Sequence, residues 1–169
     1  CFDCTNFYFE KDKEDDFRKK GPSKENRKEP IVGLGLLLDA NQIPVSMKLF
    51  PGNQSEKPVI RDIILDLKKR NSVSGRTIRI ADKGLNCAEN IFHALNNGDG
   101  YIFSKSVKIL PEVEKTWVLL PNDYKDVKNA NGDVIYRMKE CVDDFEYKFN
   151  DPGTGKEKKF KITEKRIVT

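Results

Sequence analysis

The chain has 169 residues, enough for one domain with a real hydrophobic core and a small insert. Hydrophobic residues make up 37% and charged residues 34%, and no apolar run reaches the roughly 20 residues of a membrane span. The net charge of +4 permits a polyanionic partner without identifying one.

The first residue is Cys1, and a strand-like segment begins at once with no charged-then-apolar leader. The expectation is therefore an excerpt whose natural N-terminal portion lies upstream. Cys1 and Cys4 form one C-x-x-C pair, while Cys87 and Cys141 stand apart. With His93 as the only histidine, the set makes no persuasive zinc site. Residues three apart on a strand also face opposite ways. All four are expected to be reduced, mostly buried thiols in a cytoplasmic protein.

Residues 2–10 are rich in aromatics and read as a strand. Asp3 lies inside it, and a charge there is costly unless it is paired, solvated in a cleft or bound to a cation. Residues 10–29 are dense in mixed charge, broken by Gly21-Pro22-Ser23, and read as a solvated flexible loop. Lys19, Lys20, Lys24, Arg27 and Lys28 within it offer phosphate contacts, although a charge run alone is weak support.

Residues 31–39 form a nearly continuous apolar run, the best core strand of the chain. A turn at Asp39-Ala-Asn-Gln returns it as a second strand over 43–50, where Pro44 suggests a sheet edge. Pro51-Gly52-Asn53 ends that strand, and Asn53 reads as a turn residue. A helix follows over 57–70, with Ile60, Ile63, Ile64 and Leu67 as its apolar stripe. Lys68, Lys69 and Arg70 suit its C-terminal dipole.

Thr77-Ile78-Arg79-Ile80-Ala81 is a short β-branched strand running into Asp82, with Lys83-Gly84 as a turn; taken by itself, Asp82 reads as a residue that shapes this βα turn. Asn86 is placed to cap a helix whose apolar positions are Ile91, Ala94 and Leu95. His93 in that helix reads as a surface or packing residue. Residues 101–104 give a fifth strand. Open α/β sheets place their chemistry at the carboxyl ends of such strands. Three antiparallel strands followed by βα units predict an α/β, ribonuclease H-like mixed five-stranded sheet with flanking helices.

After residue 105 the character changes. Residues 112–119 read as a short helix or strand, with Trp117 as a core residue rather than one that stacks a displaced base. Asn129-Ala-Asn-Gly-Asp and Asp151-Pro-Gly-Thr-Gly are hairpin signals between strand-like segments at 134–141, 145–150 and 158–169. The domains expected are a core over 1–105 and a small antiparallel β insertion over 106–169.

If the first and fourth strands are neighbours, Asp3 and Asp82 converge. Two carboxylates in one cleft repel each other, and a divalent cation relieves them. Magnesium keeps several waters, so few carboxylates suffice. Thr5 shares the face of Asp3 and is a candidate support for it. Lys83, beside Asp82, is equally a phosphate contact or a solvent-facing turn residue.

Several motifs occur in register: residues 2–10, 21–27, 35–39, Ile43-Pro44, Phe50-Pro51-Gly52-Asn53 and Ile80-Ala81-Asp82-Lys83-Gly84. Together they resemble the catalytic domain of bacterial insertion-sequence DDE transposases, of the type with a β-stranded insertion before the third acid. The resemblance is close over about residues 1–105 and architectural beyond. It implies Asp3 and Asp82 as the first two metal-binding, catalytic acids, with Mg2+ as cofactor and Mn2+ as a substitute. It also implies DNA partners, transposon ends and target, with Lys24, Arg27 and Lys83 as candidate contacts, and a homodimeric parent protein. Glu140, Glu146 and Glu164 fall in predicted strands of the insertion, so none is nominated as the third acid, which is expected beyond residue 169. The fragment alone is then expected to be inactive. The competing expectations are a related ribonuclease H-like nuclease and a degenerate, non-enzymatic DNA-binding remnant.

Overall fold

The computed structural model describes residues 1–22, 28–71 and 75–169. It divides into two compact units, Cys1–Lys105 and Ser106–Thr169. No described helix is long and apolar enough to cross a membrane.

In the first unit, strands β1 (Phe2–Tyr8), β2 (Ile31–Leu38) and β3 (Pro44–Pro51) precede helix α1 (Glu56–Asn71). Strand β4 (Ile78–Ala81), helix α2 (Ala88–Asn96) and strand β5 (Gly100–Phe103) follow. The sheet order is β3-β2-β1-β4-β5. β1 pairs antiparallel with β2, and β2 with β3, whereas β4 lies parallel to both β1 and β5. This is the ribonuclease H-like α/β arrangement, with Pro44 on an edge strand as its missing N–H demands.

The core lies between the helices and one face of the sheet. Phe2, Cys4, Leu37, Phe50 and Ala81 from the strands meet Val59, Ile60, Ile63 and Ile64 of α1, together with Leu85. Each such aliphatic side chain contributes about 1.5–3 kcal/mol when removed from water. The α1 stripe is as the periodicity predicts, and Val59 widens it. Gly33 lets the Phe50 ring close over β2, because a Cβ there would sit 2.2 Å from the ring.

α2 covers the same face, with Ile91 and Ala94 buried and Leu95 exposed. Its N-cap is Cys87, not Asn86. Asn86 instead donates its amide to the Ser104 carbonyl at 3.0 Å, tying the turn after β4 to the end of β5.

Over residues 12–20 the charged segment before β2 is a loop with its own polar bonds. Asp15 Oδ1 accepts the N–H groups of Phe17 and Arg18 at 3.0 and 2.7 Å. Lys19 bridges to Ile31, and Gly52 donates to the Phe17 carbonyl at 3.1 Å. Lys20 pairs with Asp12 at 2.6 Å. Short-range polar bonds thus hold residues 12–20 against the base of β2 and the β3–α1 turn. Of the cysteines, Cys4 alone is buried; Cys1 is exposed, and Cys87 and Cys141 are half-buried. Their positions at a strand start, a helix cap and a two-stranded ribbon explain why the expectation of mostly buried thiols fails.

The second unit holds a 3-10 turn at Val107–Ile109, helix α3 (Glu112–Leu119) and strands β6 (Lys125–Lys128), β7 (Val134–Asn150) and β8 (Glu157–Val168). The strands form an antiparallel sheet in the order β6-β7-β8. The two segments expected at 134–141 and 145–150 are one strand. Asp144, between them, accepts the Thr163 hydroxyl at 2.7 Å and pairs with Lys161 at 3.1 Å, so the acid does not interrupt pairing. Trp117 is half-buried rather than core, because its ring carries the buried Lys139 ammonium 4.8 Å from its centre. That ammonium also donates to the carbonyls of Trp117, Leu120 and Asn122 and closes the C-terminal end of α3.

Beneath β4, on the helix side, Arg79 donates two hydrogen bonds to Asp99, from Nε at 3.1 Å and Nη2 at 2.6 Å. Lys68 of α1 reaches the other oxygen at 2.6 Å, and the Thr77 N–H donates to that same oxygen at 3.2 Å. Burial alone would raise the Asp99 pKa, but these donors hold it down at about 2. Lys68 is therefore an ion-pair partner as well as a dipole-suited helix end. Asp99→Ala leaves Arg79 buried without its acceptor, and we expect a loss of about 3–5 kcal/mol in urea denaturation. A loss under about 1 kcal/mol would contradict this network's role.

Candidate functional site

Alternation along β1 sends Phe2 and Cys4 into the core and leaves Asp3, Thr5 and Phe7 on the opposite face. On β4, Arg79 and Ala81 are buried while Ile78 and Ile80 are exposed. Phe2 pairs in parallel register with Ala81. The next residue on each chain is Asp3 and Asp82. Continuing that register by one residue makes their backbones neighbours at the carboxyl end of β4, about one strand spacing, ~5 Å, apart, with Asp3 on the face away from the helices. Both are exposed.

The surrounding face is apolar. Asp3 opposes Leu36, which opposes Met47; Thr5 opposes Leu34, which opposes Leu49. Ile80 opposes Ile102 on the other side. Met47 is 68% and Ile102 60% exposed, so no described element of the first unit covers this face. The two acids are the charged groups in its middle rows.

Asp3 Oδ1 accepts the N–H of Cys4 at 2.8 Å. Asp82 Oδ1 accepts the N–H of Gly84 at 2.9 Å, and the Leu85 N–H donates to the Asp82 carbonyl at 3.2 Å. The first bond closes an Asx turn, which Gly84 suits because a Cβ there would already meet Oδ1 at 3.3 Å. The carboxylate is thus oriented by the turn that follows it.

Two adjacent carboxylates are a donor set of the kind that magnesium takes, since the ion accepts oxygen ligands and retains water. Among the described residues no group of three or more His, Cys, Asp or Glu is placed to hold a metal. The donor set fits a loosely held, largely hydrated cation and not a closed structural site.

Thr5 lies on the face of Asp3, two residues along the strand. Lys83 is exposed beside Asp82. Lys24 and Arg27 lie outside the described residues. Asn53 is exposed in the turn after β3. His93 faces the sheet rather than the acids: Arg79 Nη1 donates to its Nδ1 at 2.7 Å. Glu140, Glu146 and Glu164 stand on β7 and β8 of the second unit. Glu164 accepts Tyr147 Oη at 2.8 Å and Arg166 Nε at 2.7 Å, a structural pairing.

Sequence reasoning missed the polar layer behind Asp82. Arg79 falls on the core-facing register of β4 and Asp99 directly precedes β5. An ionic residue in a core-facing strand position was the available signal. Asn90 was missed as well; it is 1% exposed on a helix whose apolar stripe it interrupts.

The His93 contact has a pH consequence. Burial, then the charges of Arg79 and Arg61, lower its pKa below the usual 6.5. The neutral ring is the native form, so its stabilising share is complete above pH 6.5 and is lost as pH falls below it. Stability should decline between pH 7 and 5. It should decline less in His93→Gln, whose amide oxygen can accept from Arg79 without titrating. Equal slopes for both proteins in pH-dependent denaturation would show that His93 is uncoupled from folding.

No family model, curated protein or solved structure matches the chain.

Proposed function

We propose that this chain is the first part of the catalytic region of a DDE transposase, which cleaves and joins DNA strands at the ends of an insertion sequence. The observation that supports the reading is the parallel pairing of Phe2 with Ala81 in a β3-β2-β1-β4-β5 sheet, which makes the next residues, Asp3 and Asp82, neighbours at the carboxyl end of β4. The in-register motifs described above supply the family; the fold alone would leave many chemistries open.

In this reading Asp3 and Asp82 hold Mg2+, with Mn2+ as substitute. The bound cation supplies activation of a water or a 3′-hydroxyl and stabilises the leaving oxygen of the phosphodiester. The chain's own part is to fix the two carboxylates. β1 presents Asp3 from a paired strand, and the Gly84 N–H orients Asp82. Lys83, exposed next to Asp82, is placed to meet a DNA phosphate. Lys24 and Arg27 remain proposed DNA contacts. No residue of the chain is nominated as the third acid, so catalysis is proposed for a cytoplasmic, homodimeric protein that contains these residues, and not for these residues alone.

Mn2+ binding to the 169-residue chain, read by electron paramagnetic resonance, tests the pair without needing turnover. Wild type should bind with an affinity that Asp3→Asn and Asp82→Asn each reduce by about tenfold or more, with the fold retained by circular dichroism. In the longer protein, magnesium-dependent cleavage of end-containing DNA should disappear in the same two variants. Binding indifferent to both substitutions would reject the metal site and leave a DNA-binding remnant as the better reading.

A further inference from the structure

The turn that carries Asp82 is held from behind by one buried amide. Asn90 is 1% exposed, at a place on α2 where an apolar side chain would serve the core. Its Nδ2 donates to the Leu85 carbonyl at 2.8 Å, and its Oδ1 accepts from Arg61 Nη1 of α1 at 3.0 Å. Arg61 is in turn fixed by Glu89 Oε2 at 3.0 Å. Leu85, itself 1% exposed, is plugged into the core, and its N–H bonds the carbonyl of Asp82. A continuous path of bonds therefore runs from α1 through Asn90 and Leu85 to Asp82, all within the first unit.

We propose that Asn90 is a positioning residue for the Asp82 carboxylate, acting through the Leu85 carbonyl. The inference rests on the metal-binding reading above and adds a residue to it. Three features favour positioning over simple core filling. A buried primary amide is costly without partners, and Asn90 bonds the one turn that presents the acid. It does so with its donor group while its acceptor is anchored to a second helix, so the turn is referenced to the rigid α1–α2 layer. On the far side, the Asn86 amide holds the same turn to Ser104. With both sides tied, the backbone from Asp82 to Asn86 has little freedom to carry Asp82 away from Asp3.

Asn90→Asp isolates the donor: it keeps the shape and the Arg61 contact, but sets a carboxylate oxygen against the Leu85 carbonyl. Asn90→Ala removes both bonds. Amide hydrogen exchange followed by NMR reads the turn directly and independently of any metal. At Gly84 and Leu85, whose N–H groups bond Asp82, exchange should speed up by about tenfold or more in Asn90→Asp, while Ile63 in α1 keeps its protection. Mn2+ affinity should fall by about tenfold in the same variant at a temperature where it is fully folded. Should Asn90→Ala fail to fold, Asn90→Asp alone carries both readouts. Unchanged exchange at Gly84 and Leu85, or unchanged Mn2+ affinity alongside loss in Asp82→Asn, overturns the role of Asn90. Faster exchange in a chain whose Mn2+ binding ignores Asp3→Asn and Asp82→Asn would instead uphold Asn90 as the turn's clamp and reject the metal reading.

Discussion

A single parallel register, Phe2 beside Ala81, decides the character of both faces of the sheet. A shift of one residue would turn Asp3 toward Ile60 and Ile63 and expose Phe2 and Cys4 to water. Burying two aliphatic-facing strand residues is favourable by a few kcal/mol, and burying an unpaired carboxylate costs more than that. The hydrophobic layer made by α1 and α2 therefore selects the register. The same choice delivers the acids to the other face. Folding energetics and site geometry are here two consequences of one alternation.

Beneath β4 the same strand carries the opposite arrangement. Arg79 faces the helices and is neutralised by Asp99, with Lys68 and His93 closing the cluster. Strand β4 has only four residues, too few to hold its place by ladder bonds alone. Charge-assisted bonds to α1 and to the start of β5 fix it from below. Asn90 and Asn86 extend that fixing to the turn beyond its end. The acid site therefore rests on a polar scaffold inside an otherwise apolar layer, and no described element of the first unit covers the apolar sheet face around the acids.

Much of this was legible in the residues. Aromatic content marked β1, the continuous apolar run at 31–39 marked β2 as a core strand, and the stripe from Ile60 to Leu67 marked the packed face of α1. The strand order followed from chain order plus the usual handedness and pairing rules. What escaped has physical reasons. Asn86 resembles a cap by position, yet its amide finds a stronger demand at the Ser104 carbonyl, and Cys87 takes the cap. Residues 10–20 look like a solvated charge run because composition does not reveal that Asp15 organises its own turn, with a pKa held at about 2 by the Arg18 and Phe17 N–H groups and the Arg18 side chain. The break expected between 141 and 145 is absent because cross-strand partners of Asp144 supply the counter-charge, which no single-strand pattern shows. Arg79, Asp99 and Asn90 are tertiary: their partners lie 14 to 31 residues away along the chain, or across a turn.

The central claim is that two acids distant in sequence serve one cation. Paramagnetic broadening by sub-stoichiometric Mn2+, read across the amide NMR spectrum of the 169-residue chain, tests it most directly. The account predicts that amides at Asp3, Cys4, Lys83 and Gly84 broaden together, while those of Ile63 in α1 and of the β7–β8 ribbon stay sharp. Broadening at only one of the two strands, or centred on another part of the molecule, would contradict it.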